Sequence, residues 1–127
     1  AVRGELHEYQ EYWGLARAWI DTAENAMLHV ARDYPEPCRA WVEDGVPFTD
    51  EADRAMILVE QHCVKLAWEA TDLLFTSAGT STARRDSKLA RHFRDLAVLR
   101  THGTMRYMRT AVNRARLHFG QQPLGPL

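Results

Sequence analysis

Long apolar runs are missing from this sequence. No stretch of about 18 apolar residues occurs, which excludes a membrane-spanning helix. Nothing at the N-terminus reads as a secretory signal, so the cytoplasm is the expected compartment. Cysteine is scarce. Cys38 and Cys63 form no CxxC pair and no metal-ligand spacing, and are expected to be free thiols. Glu-x-x-His does not occur, which argues against a carboxylate-bridged di-metal bundle. Glu60, His62 and Cys63 are neighbours in sequence, but on a helix Glu60 and His62 point to nearly opposite sides, so no metal site is expected. G-x-S-x-G, the P-loop and the dinucleotide fingerprint are also absent.

Glycine and proline are nearly confined to Gly4, the Pro35–Pro47 stretch, Gly79 and the tail 120–127; Gly14 and Gly103 are the exceptions. Long unbroken stretches argue for helices, since strands rarely run past about ten residues. The chain has 127 residues, 46% of them hydrophobic and 26% charged, which predicts one globular domain. We read it as all-α, an up-down bundle of three long helices plus a short connector helix.

The first helix is expected over about residues 5–34. Leu6, Tyr9, Trp13, Ala16, Ile20, Ala23, Met27, Val30 and Tyr34 recur at threes and fours, which puts them on one face. Pro35 and Pro37 stop it. Residues 36–48 read as a connector with one short helical turn around Arg39–Glu43. The second helix is expected over about 51–78, capped by Thr49 or Asp50, with Met56, Val59, Cys63, Leu66, Ala70, Leu73 and Ser77 as its stripe. A third is expected over about 87–119, capped by Asp86 or Ser87. It has two apolar faces, one through Leu89, Phe93 and Leu96, the other through Val98, Met105, Met108, Val112 and Phe119. Three helices leave much of this apolar surface uncovered, so the domain is expected to dock on another domain or subunit.

The net charge of −1 conceals a division. Residues 1–80 carry six Lys/Arg and fifteen Asp/Glu; residues 81–127 carry ten Lys/Arg and only Asp86 and Asp95 as acids. Pairing within the chain or between subunits is the first expectation, an anionic cofactor the second and nucleic acid the last.

Two places carry possible chemistry. His102 falls on the apolar stripe of the third segment, beside Val98 and Met105, and no Asp or Glu follows residue 95. Partial burial there would leave a neutral imidazole able to act as a base, though a structural histidine fits the same pattern. The loop Ser77-Ala-Gly-Thr-Ser-Thr, followed by Arg84, Arg85 and a helix start, suits a phosphate. An ordinary polar connector with a glycine C-cap fits it too.

Three segments carry a family resemblance. They are Trp13-Gly-Leu-Ala-Arg-Ala-Trp-Ile-Asp21, Leu74-Phe-Thr-Ser-Ala-Gly-Thr-Ser81, and Ser87-Lys-Leu-Ala-Arg-His-Phe-Arg-Asp-Leu96 followed by His102. Together they resemble the C-terminal helical domain of the acyl-CoA dehydrogenase superfamily, closest to its two-component flavin-dependent monooxygenases. Lys88 stands where the family often has proline, and the connector at 35–50 is shorter than in many members.

The resemblance implies a longer flavoenzyme, with an N-terminal helical domain and a central β-domain, assembled as a homotetramer. It implies FAD or FMN, reduced by a separate flavin reductase, and a small-molecule substrate. Position by position it makes His102 the catalytic base, in a His-Gly-Thr context where many dehydrogenases have Glu-Gly-Thr. It brings Gly79, Thr80 and Ser81 to a flavin phosphate or to a neighbouring subunit's flavin, leaves Arg94 and Asp95 as bundle or subunit contacts, and offers Arg91 for either job, a cofactor contact or a bundle contact. The expected activity is hydroxylation of a small organic substrate, such as an aromatic one. An acyl-CoA dehydrogenase domain and a non-catalytic oligomerisation module are the alternatives.

Overall fold

The computed structural model describes residues 2–125. Within them the chain is all-helical: α1 (His7–Asp33), α2 (Pro35–Asp44), α3 (Asp50–Ala78), α4 (Lys88–Leu99) and α5 (Tyr107–His118), with short 3-10 turns at Arg3–Glu5, Thr80–Ala83 and Gly103–Met105. α3 is the hub and packs against α1, α4 and α5.

α1 and α3 form where the periodicity places them. The buried residues of α1, Ala16 and Val30, belong to its stripe, and so do Cys63 and Ala70 of α3. The Thr49 hydroxyl caps α3 by accepting from the Ala52 amide at 3.2 Å, and Asp50, Glu51 and Asp53 sit at the positive end of the helix dipole. The connector is more than a single turn: α2 runs for ten residues. Tyr34 keeps a helical conformation (φ −62°, ψ −40°) despite the proline that follows, and Pro35 opens the new helix at its first turn, where no amide is needed. Arg39 then ties α2 together by pairing with Glu36, Glu43 and Asp44 at 2.7–3.3 Å. The Arg39 guanidinium holds the Glu36 carboxyl below its usual range.

The third segment departs from expectation. It is two helices, not one, and the break spans Arg100–Arg106. The Thr101 hydroxyl donates to the Val98 carbonyl at 2.7 Å, and the His102 ring accepts from the Thr104 amide at 3.3 Å. These local bonds compete with the helical ladder, and Gly103 adds no helix propensity to resist them. His102 therefore lies on a turn rather than on a helical stripe, and it is exposed.

The interior is made of small groups. Ala16, Val30, Cys63, Ala70 and Ala90 are the buried apolar residues, and Gln61, Thr110 and Asn113 the buried polar ones. Asn113 Oδ1 accepts from the Leu124 amide at 2.7 Å, folding the tail back along α5. Burial pushes the Cys63 thiol up, and the nearby Glu60 carboxylate adds to the effect. The result is a core thiol with little thiolate character. Large apolar side chains stay outside: Trp13 is 66% exposed, Val98 71%, Met108 73% and Phe119 73%. No helix among the described residues is long and apolar enough to cross a membrane.

Candidate functional site

α4 carries the site because α3 seats it firmly. Phe93 stacks on Phe75 with ring centroids 4.2 Å apart and meets Trp68 at 5.0 Å. At the far end of the helix, Arg100 lies over the Trp68 ring at 4.3 Å. Aromatic pairs of this kind fix one helix on another.

The glycine loop sits at the N-terminal end of α4. Gly79 has φ +81° and ψ −179°, a conformation essentially reserved for glycine. Its backbone is open, since a Cβ added there would meet nothing within 4 Å. Gly79→Ala is therefore expected to cost about 1–3 kcal/mol through backbone conformation alone, measurable by chemical denaturation. Thr80 and Ser81 are exposed, and among the described residues their hydroxyls have no hydrogen-bond partner. Thr82 closes the turn by donating to the Gly79 carbonyl at 2.7 Å. Ser87, rather than Asp86, caps α4 by accepting from the Ala90 amide at 3.2 Å. Arg91 follows one turn into α4, exposed and in no ion pair among the described residues. Open glycine backbone, two free hydroxyls and an uncommitted guanidinium near a helix start are the donor set that a phosphate requires.

His102 stands at the opposite end. Its Nδ1 lies 2.8 Å from Thr104 Oγ1 and 3.3 Å from the Thr104 amide. The twelve-residue α4 intervenes, about 18 Å of helix. Gly79, Thr80 and Ser81 thus precede the N-terminal end of α4 and Arg91 lies in its first turns, whereas His102 follows its C-terminal end. Only an extended ligand, or two ligands, could touch both.

Two further features escaped sequence reasoning. The first is a cleft of about 540 Å³ beside the glycine loop, walled by Tyr9, Tyr12, Trp13, Leu74 and Leu89. Arg3 crosses its rim and donates to the Ala78 carbonyl at 2.9 Å. The aromatic run of early α1 was its only signal. The second is Gln61, buried in α3, whose amide donates to the Thr104 carbonyl at 2.5 Å. Gln61 lies off the apolar stripe, and nothing in the sequence links it to residue 104.

The charge division is not resolved within the chain. Among the described residues one contact between a basic and an acidic side chain joins the acidic and basic halves, His118 Nδ1 with a Glu51 carboxylate oxygen at 3.0 Å. The other pairs are local, such as Arg17 with Asp21 and Arg84 with Asp86. The expected pairing within one chain is therefore nearly absent; Asp21 of α1 and the three acids of α2 are taken by arginines of their own helices. Arg91 and Arg94 of α4 and Arg114 of α5 make no ion pair among the described residues. No group of three or more His, Cys, Asp or Glu side chains that could hold a metal gathers among the described residues.

An open glycine turn lies at one end of a seated helix and an imidazole at the other, on a helical bundle with uncovered apolar faces. The family model described as "Acyl-CoA dehydrogenase, C-terminal domain" matches residues 7–107. The chain belongs to that family. It is an oxidoreductase-type helical domain of a fold that in full-length proteins carries flavin, as FAD, and typically forms homotetramers. Comparison with the curated proteins and with the solved structures finds no match.

Proposed function

We propose that this chain is the C-terminal domain of a two-component flavin-dependent monooxygenase, which hydroxylates a small organic substrate, such as an aromatic one, with O2 and flavin reduced by a separate reductase. The observation that carries the reading is the exposed imidazole of the His102-Gly103-Thr104 turn, with no carboxylate after Asp95 to take its place. Removing an α-proton from an acyl thioester calls for a carboxylate base near the flavin, whereas oxygen transfer to a carbon activated by an ionisable hydroxyl suits a neutral imidazole beside that hydroxyl.

Bound reduced flavin would supply the two electrons that divide O2, one oxygen entering the substrate and the other leaving as water. The Gly79 backbone, the Thr80 and Ser81 hydroxyls and Arg91 would hold phosphate at one end of α4. His102, at the other end, would meet the substrate oxygen. FMN fits the phosphate set as well as FAD does. The uncovered faces of α4 and α5 would be closed by other domains and by subunit contacts in a homotetramer.

The family match favours an acyl-CoA dehydrogenase domain equally. That reading needs a carboxylate from elsewhere, such as a glutamate of α1. Two assays on the complete protein separate them. With reduced flavin, labelled O2 and a panel of phenols, the proposal expects oxygen-18 in the product. With acyl-CoA and an artificial electron acceptor it expects no reduction. Acceptor reduction by acyl-CoA would establish the dehydrogenase instead.

A further inference from the structure

We infer that neutral His102 carries its ring proton on Nε2, and therefore meets a bound substrate as a hydrogen-bond donor rather than as a base, with Thr104 and Gln61 as its positioning residues. The tautomer follows from geometry alone; the role toward substrate rests on the function proposed above.

A backbone amide can only donate. The Thr104 N–H is 3.3 Å from His102 Nδ1 and caps the 3-10 turn Gly103–Met105 through it. Thr104 Oγ1 lies 2.8 Å from the same nitrogen and can turn its hydrogen toward it. A ring nitrogen that accepts from an amide has its lone pair engaged and holds no proton of its own. In the neutral ring the proton then sits on Nε2. Nε2 has no partner among the described residues, and the residue is exposed.

The turn that sets this geometry is itself anchored. Gln61, 4% exposed, donates from Nε2 to the Thr104 carbonyl at 2.5 Å. Its amide has a defined sense, because the flipped orientation would set two carbonyl oxygens against each other. Gln61 therefore fixes Thr104, and Thr104 fixes the imidazole.

The chemical consequence is specific. An Nε2–H aimed at a hydroxyl oxygen cannot remove that hydroxyl's proton. It stabilises the oxyanion left once the proton has gone to solvent. The favoured substrates are those with an acidic hydroxyl, held in ionised form while oxygen is transferred.

The first test needs neither flavin nor substrate. The 127-residue chain is labelled with nitrogen-15 and held at about pH 8.5, some two units above the ordinary histidine pKa. Long-range proton–nitrogen correlation then reports which ring nitrogen of each histidine is protonated, and His102→Asn identifies the His102 signals by their loss. A protonated Nε2 with an unprotonated Nδ1 is expected. A ring protonated on Nδ1, or an even mixture of tautomers, overturns the inference.

The second test uses the complete flavoenzyme. In His102→Gln the side-chain amide N–H reaches about as far as Nε2. In His102→Asn an acceptor for the Thr104 amide remains, but no donor reaches that point. Glutamine is expected to keep about tenfold more hydroxylation than asparagine or alanine, since neither amide can act as a base. Equal loss in all three variants overturns the donor role, and unchanged turnover removes His102 from the reaction. Failure of every form to hydroxylate, with the tautomer as expected, sinks the proposed function and with it the role toward substrate, and leaves the protonation assignment standing.

Discussion

On the function proposed above, His102→Ala in the complete protein is expected to lower hydroxylation about a hundred- to a thousandfold, which is what removing one well-placed donor to a developing oxyanion costs. Flavin binding should be unchanged. The groups suited to phosphate, Gly79 through Ser81 and Arg91, lie at the other end of α4, about 18 Å away along a helix that His102 does not support. Folding should be nearly intact as well, because His102 is exposed and the turn keeps its anchor from Gln61 to the Thr104 carbonyl. The measurement is product yield in single turnover beside a flavin-binding titration. Full turnover in His102→Ala would remove this residue from the mechanism. Lost flavin binding would mean that the two ends of α4 do not act separately.

The largest stability effect is expected at Ala70. This residue is 0% exposed on α3, the helix that touches α1, α4 and α5. The other buried alanines, Ala16 of α1 and Ala90 of α4, are each 2% exposed. Such small residues let helices approach closely, and a longer side chain at that seam must displace a neighbour. Ala70→Leu is expected to destabilise the fold by about 3 kcal/mol, at the upper end of ordinary overpacking. Ala70→Ser offers a comparison of nearly the same volume and should lose much less. Urea denaturation of both variants gives the difference. A midpoint for the leucine variant equal to that of the unaltered chain would show that the seam has slack.

The periodicity of α1 and α3 was legible because each has one dominant apolar face, and the threes and fours of that face survive any detail of packing. Thr49 and Ser87 were legible as caps because capping depends on a side chain and the next few amides. The break at Arg100–Arg106 was not. Apolar residues keep helical spacing through it, from Leu96 to Met105 and Met108, so a pattern reading runs straight across. Gly103 alone could not decide the matter, since Gly14 sits inside α1 without breaking it. What distinguishes them is the company of Gly103, where the Thr101 and His102 side chains turn back onto the backbone and the Thr104 hydroxyl meets the His102 ring.

At the site, the donor-rich composition of the glycine loop could be read residue by residue. Its separation from His102 depends on the length of α4 and so on where the third segment breaks. Gln61 was invisible for a different reason. A lone glutamine on a helix reads as solvent-facing, and only the fold brings the Thr104 carbonyl to it.

α4 also acts as a ruler. Each residue added to or removed from a helix shifts everything beyond it by about 1.5 Å and rotates it by about 100°. If one extended molecule touches both the glycine turn and the imidazole, the interval from Ser87 to His102 cannot change by a single residue without turning His102 away. Among relatives that share this chemistry, the spacing from Ser87 to His102 should therefore stay fixed in length.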